Sequence, residues 1–293
     1  MFDFKALYEA NTVQEAVELR LAHPNALIIA GGSDQLIKLR DGKYAGQEFI
    51  SIYGIDELRG VTMDEEGTIR IGALTCFSDI TADPIIQKYI PVLGEAVDQV
   101  GGPQVRNIGT IGGNVCNGIT SADSASTLMA WNAGMKLRGD SHEKYVPMSI
   151  WYRGPGRVRI DADEILTHIV IHKEDYEGYA GSYMKYAMRS AMDIPVVGCS
   201  VSVKLSPDKK TVEDLRIAFG VAGPVPLRAK TAESIGKGKS VCEETVAAVA
   251  EAVWSDIQPR TSWRAPADFR KYMAREMTRR CFREAVKRSG GEL

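Results

Sequence analysis

At 293 residues, 44% of them hydrophobic and 25% charged, the chain can bury a sizeable core as one large domain or two. Its net charge of −2 supplies no global attraction for nucleic acid, and no uncharged run approaches the length needed to cross a bilayer. The five cysteines, Cys76, Cys116, Cys199, Cys242 and Cys281, form no C-x-x-C pair, which argues against zinc or iron–sulfur ligation and for reduced thiols in a cytoplasmic protein.

Thr12-Val13-Gln14-Glu15 is a capping-box pattern and predicts a helix ending near His23-Pro24. Residues 26–30 follow as an apolar run suited to a strand buried on both faces. That run enters Gly31-Gly32-Ser33-Asp34, and Leu36, Ile37 and Leu39 then take helical spacing. Strand, Gly-Gly turn and helix in this order can present backbone N–H groups to a phosphate, although a plain turn with a capping Ser or Asp fits the same residues. Residues 49–52 and 68–74 read as strands, and 78–89 and 92–100 as helical stretches broken at Pro84 and Pro91. Such alternation argues for α/β architecture in this half.

Residues 101–123 gather glycines beside Thr, Asn and Ser, with few and scattered apolar residues. This composition predicts a ligand-cradling loop whose working surface is its backbone, the alternative being a surface loop whose glycines serve turns. A short helix over 124–133 follows, then strands at 135–138, 158–160 and 164–172. His168 and His172 are four apart, but their β-branched setting favours a strand over a helical metal site.

The polar, glycine-containing stretch 173–182 reads as a domain boundary. Beyond it, 183–189, 196–205 and 212–221 are strand-like, and helices are expected over roughly 242–257 and 266–288, an α+β pattern. The last helix carries eight basic residues against three acidic ones, most simply a solvated face. Gly236-Lys237-Gly238-Lys239-Ser240 is no P-loop, because Glu233 stands where the first glycine must be. G-x-S-x-G and a strand-linked G-x-G-x-x-G are both absent, so the chemistry is expected to come from a borrowed cofactor.

Four segments carry a resemblance to a known family. They are Ala30-Gly31-Gly32-Ser33-Asp34, the run from Arg106 to Asn114 with Ser121-Ala122-Asp123, Lys185-Tyr186-Ala187-Met188-Arg189, and Pro259-Arg260-Thr261-Ser262-Trp263-Arg264. Together they resemble the FAD-binding medium subunit of the molybdenum hydroxylases, of the bacterial xanthine dehydrogenase type. The resemblance runs the length of the chain. Ser33 stands where Thr is frequent in the family, which keeps the hydroxyl.

The resemblance implies an FAD-binding fold of the vanillyl-alcohol oxidase and p-cresol methylhydroxylase type, two α/β subdomains over residues 1–176. Residues 177–293 would form a C-terminal α+β domain like that of CO dehydrogenase flavoproteins, a three-stranded antiparallel sheet plus helices. Leu27, Ile28, Ile29, Ala30, Gly31, Gly32, Ser33, Asp34 and Gln35 would wrap the pyrophosphate of FAD. Thr110, Ile111, Gly112, Gly113 and Asn114 would approach from the other side, with Val100 and Asp123 in contact and Asp123 accepting from a ribose or ribityl hydroxyl. Ile165 and Leu166 would pack on the cofactor, and Lys185, with Arg189, would lie nearby. It further implies a molybdopterin-binding large subunit, a [2Fe–2S] small subunit and NAD+ as acceptor, with no metal, nucleic-acid or membrane site in this chain. A flavin subunit serving another N-heterocycle, nicotinate or an aldehyde, or a flavin-free scaffold, are the alternatives.

Overall fold

The structure is a computed structural model that describes residues 2–293. Its first layer is β1 (Phe4–Glu9), α1 (Val13–Ala22), β2 (Leu27–Ile29), α2 (Gln35–Arg40) and β3 (Gln47–Ser51). Thr12 caps α1 as expected, its hydroxyl accepting from the Glu15 N–H at 3.1 Å, while the Glu15 carboxylate takes the Asn11 N–H at 2.8 Å. The three strands are parallel in the order β1-β3-β2, and Val17, Ile50, Ile55 and Leu58 fill the space beneath them. β2 is shorter than expected and lies at the sheet edge, half-buried instead of covered on both faces. Its free flank faces the cleft described below.

The second layer begins with β4 (Val61–Met63) and β5 (Ile69–Gly72). Short helices α3 (Phe77–Ala82), α4 (Pro84–Tyr89), α5 (Pro91–Val97), α6 (Pro103–Arg106), α7 (Ile111–Cys116) and α8 (Asp123–Ala130) follow. Then come β6 (Gly134–Arg138), β7 (Glu143–Pro147), α9 (Met148–Trp151), a hairpin of β8 (Tyr152–Gly154) and β9 (Arg157–Val158), β10 (Ile165–Ile171) and α10 (Lys173–Tyr176). The sheet runs β4-β5-β10-β6-β7 and is antiparallel, because the helices arrive as one block between β5 and β6 instead of as single crossovers. Trp131 and Trp151, both essentially inaccessible, anchor its core.

The glycine-rich segment is not the open loop its composition predicts. It folds into α6, opened by Pro103, and α7, where the Thr110 hydroxyl caps the Gly113 N–H at 3.1 Å. The stretch 173–182 is likewise more ordered than a connector, since it holds α10 and the start of the next strand.

The third layer is an antiparallel sheet of β11 (Tyr179–Tyr186), β12 (Val197–Leu205), β13 (Val212–Gly220) and a two-residue β14 (Leu227–Arg228). The expected three strands thus gain a fourth, and β11 starts and ends before the range read from the sequence. Helices α11 (Lys230–Gly236), α12 (Glu243–Asp256) and α13 (Ala267–Arg288) complete it, with Val201, Ile217, Phe219, Met277 and Phe282 in the core. The basic side chains of α13 mostly reach acids. Arg275 and Arg279 bind Glu251, Arg283 binds Glu243, and Arg288 spans from Glu284 to Glu95, while Arg270 is buried against the Val196 carbonyl. Among the described residues no helix is long and apolar enough to cross a membrane.

Candidate cofactor site

The two glycine-rich bends, some eighty residues apart in sequence, pack directly on each other. A Cβ on Gly31 would stand 1.7 Å from the Ile108 carbonyl oxygen, so only glycine allows this approach. Gly112 is fixed by the same logic, since its Cβ would meet the Ala73 carbonyl oxygen at 2.5 Å. The Asn117 amide ties the bends together further, donating to Asp34 Oδ2 at 2.7 Å and accepting from Lys38 Nζ at 3.3 Å. Gly32 turns the first bend with φ at +73°.

Beside this contact lies a cleft of about 580 Å³, bounded by all three layers. That volume is of the size small-molecule and cofactor sites occupy. The backbone N–H groups of Gly31, Gly32, Ser33 and Asp34 border it and have no acceptor among the described residues. Consecutive N–H groups without intramolecular partners form a concave donor surface for an anion such as a pyrophosphate.

Of the residues named from the sequence, Leu27, Ile28, Ala30 through Gln35, Val100, Thr110, Gly112, Gly113, Asn114, Asp123, Ile165 and Leu166 line this cleft. Ile29, Ile111, Lys185 and Arg189 do not. Ile111 is wholly buried in the second core, and Arg189 is exposed beyond the end of β11, its N–H bonded to Asp193 Oδ2 at 3.0 Å.

Lys185 lies behind the cleft. Its ammonium donates to Asp123 Oδ2 at 2.8 Å and to the Gln99 carbonyl at 2.9 Å, and the Tyr183 hydroxyl donates to Asp123 Oδ1 at 2.7 Å. Lys185 and Asp123 side chains are 7% and 6% exposed, so this is a buried ion pair at the cleft floor. Burial pushes the Asp123 carboxyl up despite Lys185 and Tyr183, and burial together with the Asp123 charge pushes the Tyr183 hydroxyl well up. A carboxylate has about four lone-pair directions, so Asp123 can still accept from a cofactor hydroxyl.

Several lining residues carried no sequence signal. Met192, Asp193, Ile194 and Pro195 come from the connection after β11, which is fastened by the Met192 N–H to the Gly101 carbonyl at 3.3 Å. Met192, Ile194 and Pro195, with Val100, Val105 and Phe77, make an apolar side suited to a flat ring. Arg20 and Glu164 enter from α1 and from the turn before β10. The only hint in the sequence was Pro195 ending an otherwise featureless connection. The donor and acceptor set fits a dinucleotide, since buried Gln35 Oε1 and Arg20 Nε both border the cleft without a hydrogen-bond partner.

A parallel edge strand ending in a bend of unpartnered N–H groups, an apolar slot beside it and a covering α+β layer make the arrangement of a nucleotide-cofactor protein. The family assignment is specific. Residues 2–173 match the model described as FAD binding domain in molybdopterin dehydrogenase, and residues 182–285 match the CO dehydrogenase flavoprotein C-terminal domain. The chain belongs to this family of flavoprotein subunits of the molybdenum hydroxylases. It is 39% identical, over all of both chains, to the putative xanthine dehydrogenase FAD-binding subunit of Escherichia coli (strain K12). It is 32% identical to the nicotinate dehydrogenase FAD-subunit of Eubacterium barkeri over 85% of this chain and 84% of that one. The carbon monoxide dehydrogenase of Hydrogenophaga pseudoflava superposes with a TM-score of 0.92 at 30% identity, covering 98% of this chain and 99% of that one.

Proposed function

We propose that the chain is the electron-transferring flavin subunit of a xanthine-dehydrogenase-like hydroxylase, holding FAD between a [2Fe–2S] small subunit and NAD+. A molybdopterin-binding large subunit would oxidise the substrate. The observation that carries this reading is the run of unpartnered N–H groups from Gly31 to Asp34, placed against the second glycine bend at the edge of a slot of flavin proportions. FAD, when bound, supplies the redox chemistry, accepting electrons from a cluster and passing them to NAD+ as hydride.

The residues of this chain do the holding. The first bend donates to phosphate oxygens, Asp123 accepts from a ribityl or ribose hydroxyl, and Lys185 and Tyr183 keep that carboxylate aimed into the cleft. Ile165 and Leu166 supply apolar contact, and the 192–195 segment keeps water from the ring. Residues 1–176 would act as the cofactor-binding part and 177–293 as its cover. Likeness to the Escherichia coli subunit favours purine over nicotinate or aldehyde as the substrate of the assembly.

The test is to isolate the native assembly and assay hypoxanthine and xanthine with NAD+ as acceptor. Purine-dependent NADH formation supports the proposal. A flavin-containing assembly that oxidises nicotinate or an aldehyde and not purines would replace it.

A further inference from the structure

Resting on the flavin reading above, we infer that Arg20 is a recognition residue for the adenylate half of the dinucleotide. Nothing in the local pattern singles it out, since it lies in the last turn of an ordinary surface helix. In the fold its side chain borders the cleft and makes one hydrogen bond among the described residues, from Nη2 to the Asp161 carbonyl at 3.1 Å. Its Nε is buried and has no hydrogen-bond partner. No carboxylate comes within ion-pair distance of it among the described residues.

Asp163 and Glu164 are the acids whose charge acts on Arg20, neither within ion-pair distance, and the one lining the cleft is taken. Glu164, fully buried, receives Lys144 Nζ at 2.9 Å, His142 Nε2 at 3.1 Å and the Asp161 N–H at 2.7 Å. Arg20 is thus a half-buried guanidinium with Nη2 held by a carbonyl, a buried Nε left without a partner and no carboxylate in ion-pair contact, an arrangement that an anionic ligand oxygen would complete. Guanidinium groups suit phosphate oxygens because the planar fork offers two parallel N–H donors.

The position within the cleft selects the half of the ligand. The walls from Phe77, Val100, Val105, Met192, Ile194 and Pro195 are apolar and take the ring system. The bend at Gly31 to Asp34 takes the pyrophosphate. Arg20 enters from α1, held to the turn before β10 and apart from those apolar walls, which gives it the pyrophosphate oxygens on the adenosine side. Its contribution is therefore to favour FAD over flavins that lack this portion.

The experiment is a fluorescence titration of the deflavinated full chain with FAD and riboflavin, with ADP as a competitor, on the wild type, Arg20→Gln and Arg20→Lys. FAD affinity is expected to fall about tenfold or more in Arg20→Gln, the size of one charge-assisted contact. ADP should compete more weakly by a similar factor, riboflavin affinity should hold, and Arg20→Lys should recover part of the loss. FAD affinity within twofold of wild type in Arg20→Gln overturns the inference, as does an equal fall for riboflavin. A wild-type chain that binds riboflavin and FAD equally also overturns it, whereas one that binds neither overturns the flavin reading itself.

Discussion

Glycines that look alike in the sequence do different work in the fold, and substitution should separate them. Gly31 faces a backbone carbonyl at a distance no Cβ tolerates, so Gly31→Ala must part the two bends. It should cost about 1–3 kcal/mol, the usual range for overpacking, and weaken FAD binding as well; thermal unfolding and flavin titration read the two effects. Gly113 meets only the Thr110 hydroxyl, at 2.9 Å, and borders the cleft. Gly113→Ala should therefore lower FAD affinity with a smaller change in melting temperature, because helix propensity offsets part of the disturbance. The buried pair gives a third prediction. Lys185→Met strands the Asp123 charge and should destabilise by about 3–5 kcal/mol, while the double variant with Asp123→Asn should recover much of that in denaturant titrations.

Among the elements, the sequence was most readable where pattern and burial agree. The capping box opening α1 and the β-branched β10 lie where their residues place them, whereas β2 forms at its apolar run but as a short, half-buried edge. It was least readable where tertiary contact overrides propensity. Gly112 and Gly113 argue against a helix locally, yet α7 forms because Thr110 caps it and Gly112 packs on Ala73. A two-residue strand such as β14 has too few residues to show a period. The cleft-lining segment 192–195 is defined by where β11 ends, and a register set by β12 is invisible to local reading. Asp214 on β13 illustrates how such pairing is charged. Burial raises its carboxyl, but the Tyr179 hydroxyl at 2.6 Å, Lys237 at 3.1 Å and Arg216 together hold it below the usual range. A carboxyl held low stabilises the fold above its unfolded pKa and loses that contribution as pH falls through its folded value. The stability gap between wild type and Asp214→Asn should hold near neutrality and shrink below about pH 3.8, the ordinary value for the group, in melting curves taken across acid pH.

On the scale of the whole molecule, three sheets of different origin meet around one cleft, and each supplies a part that the others lack. The parallel layer brings the bend of unpartnered N–H groups, the helical block of the second layer brings the closing bend and Asp123, and the C-terminal layer brings the lysine and tyrosine that orient it. The sequence indicated both bends and the resemblance implied their convergence, but the covering role of the third layer depended on distances no local pattern encodes. A ligand that joins all three layers should stabilise the folded chain by mass action. The most direct test is equilibrium titration of the deflavinated chain with FAD, followed by flavin fluorescence and by melting temperature. Saturation at roughly one FAD per chain with a rise in melting temperature is the expected result. A folded chain that takes up no FAD, and melts at the same temperature with and without it, would contradict the account.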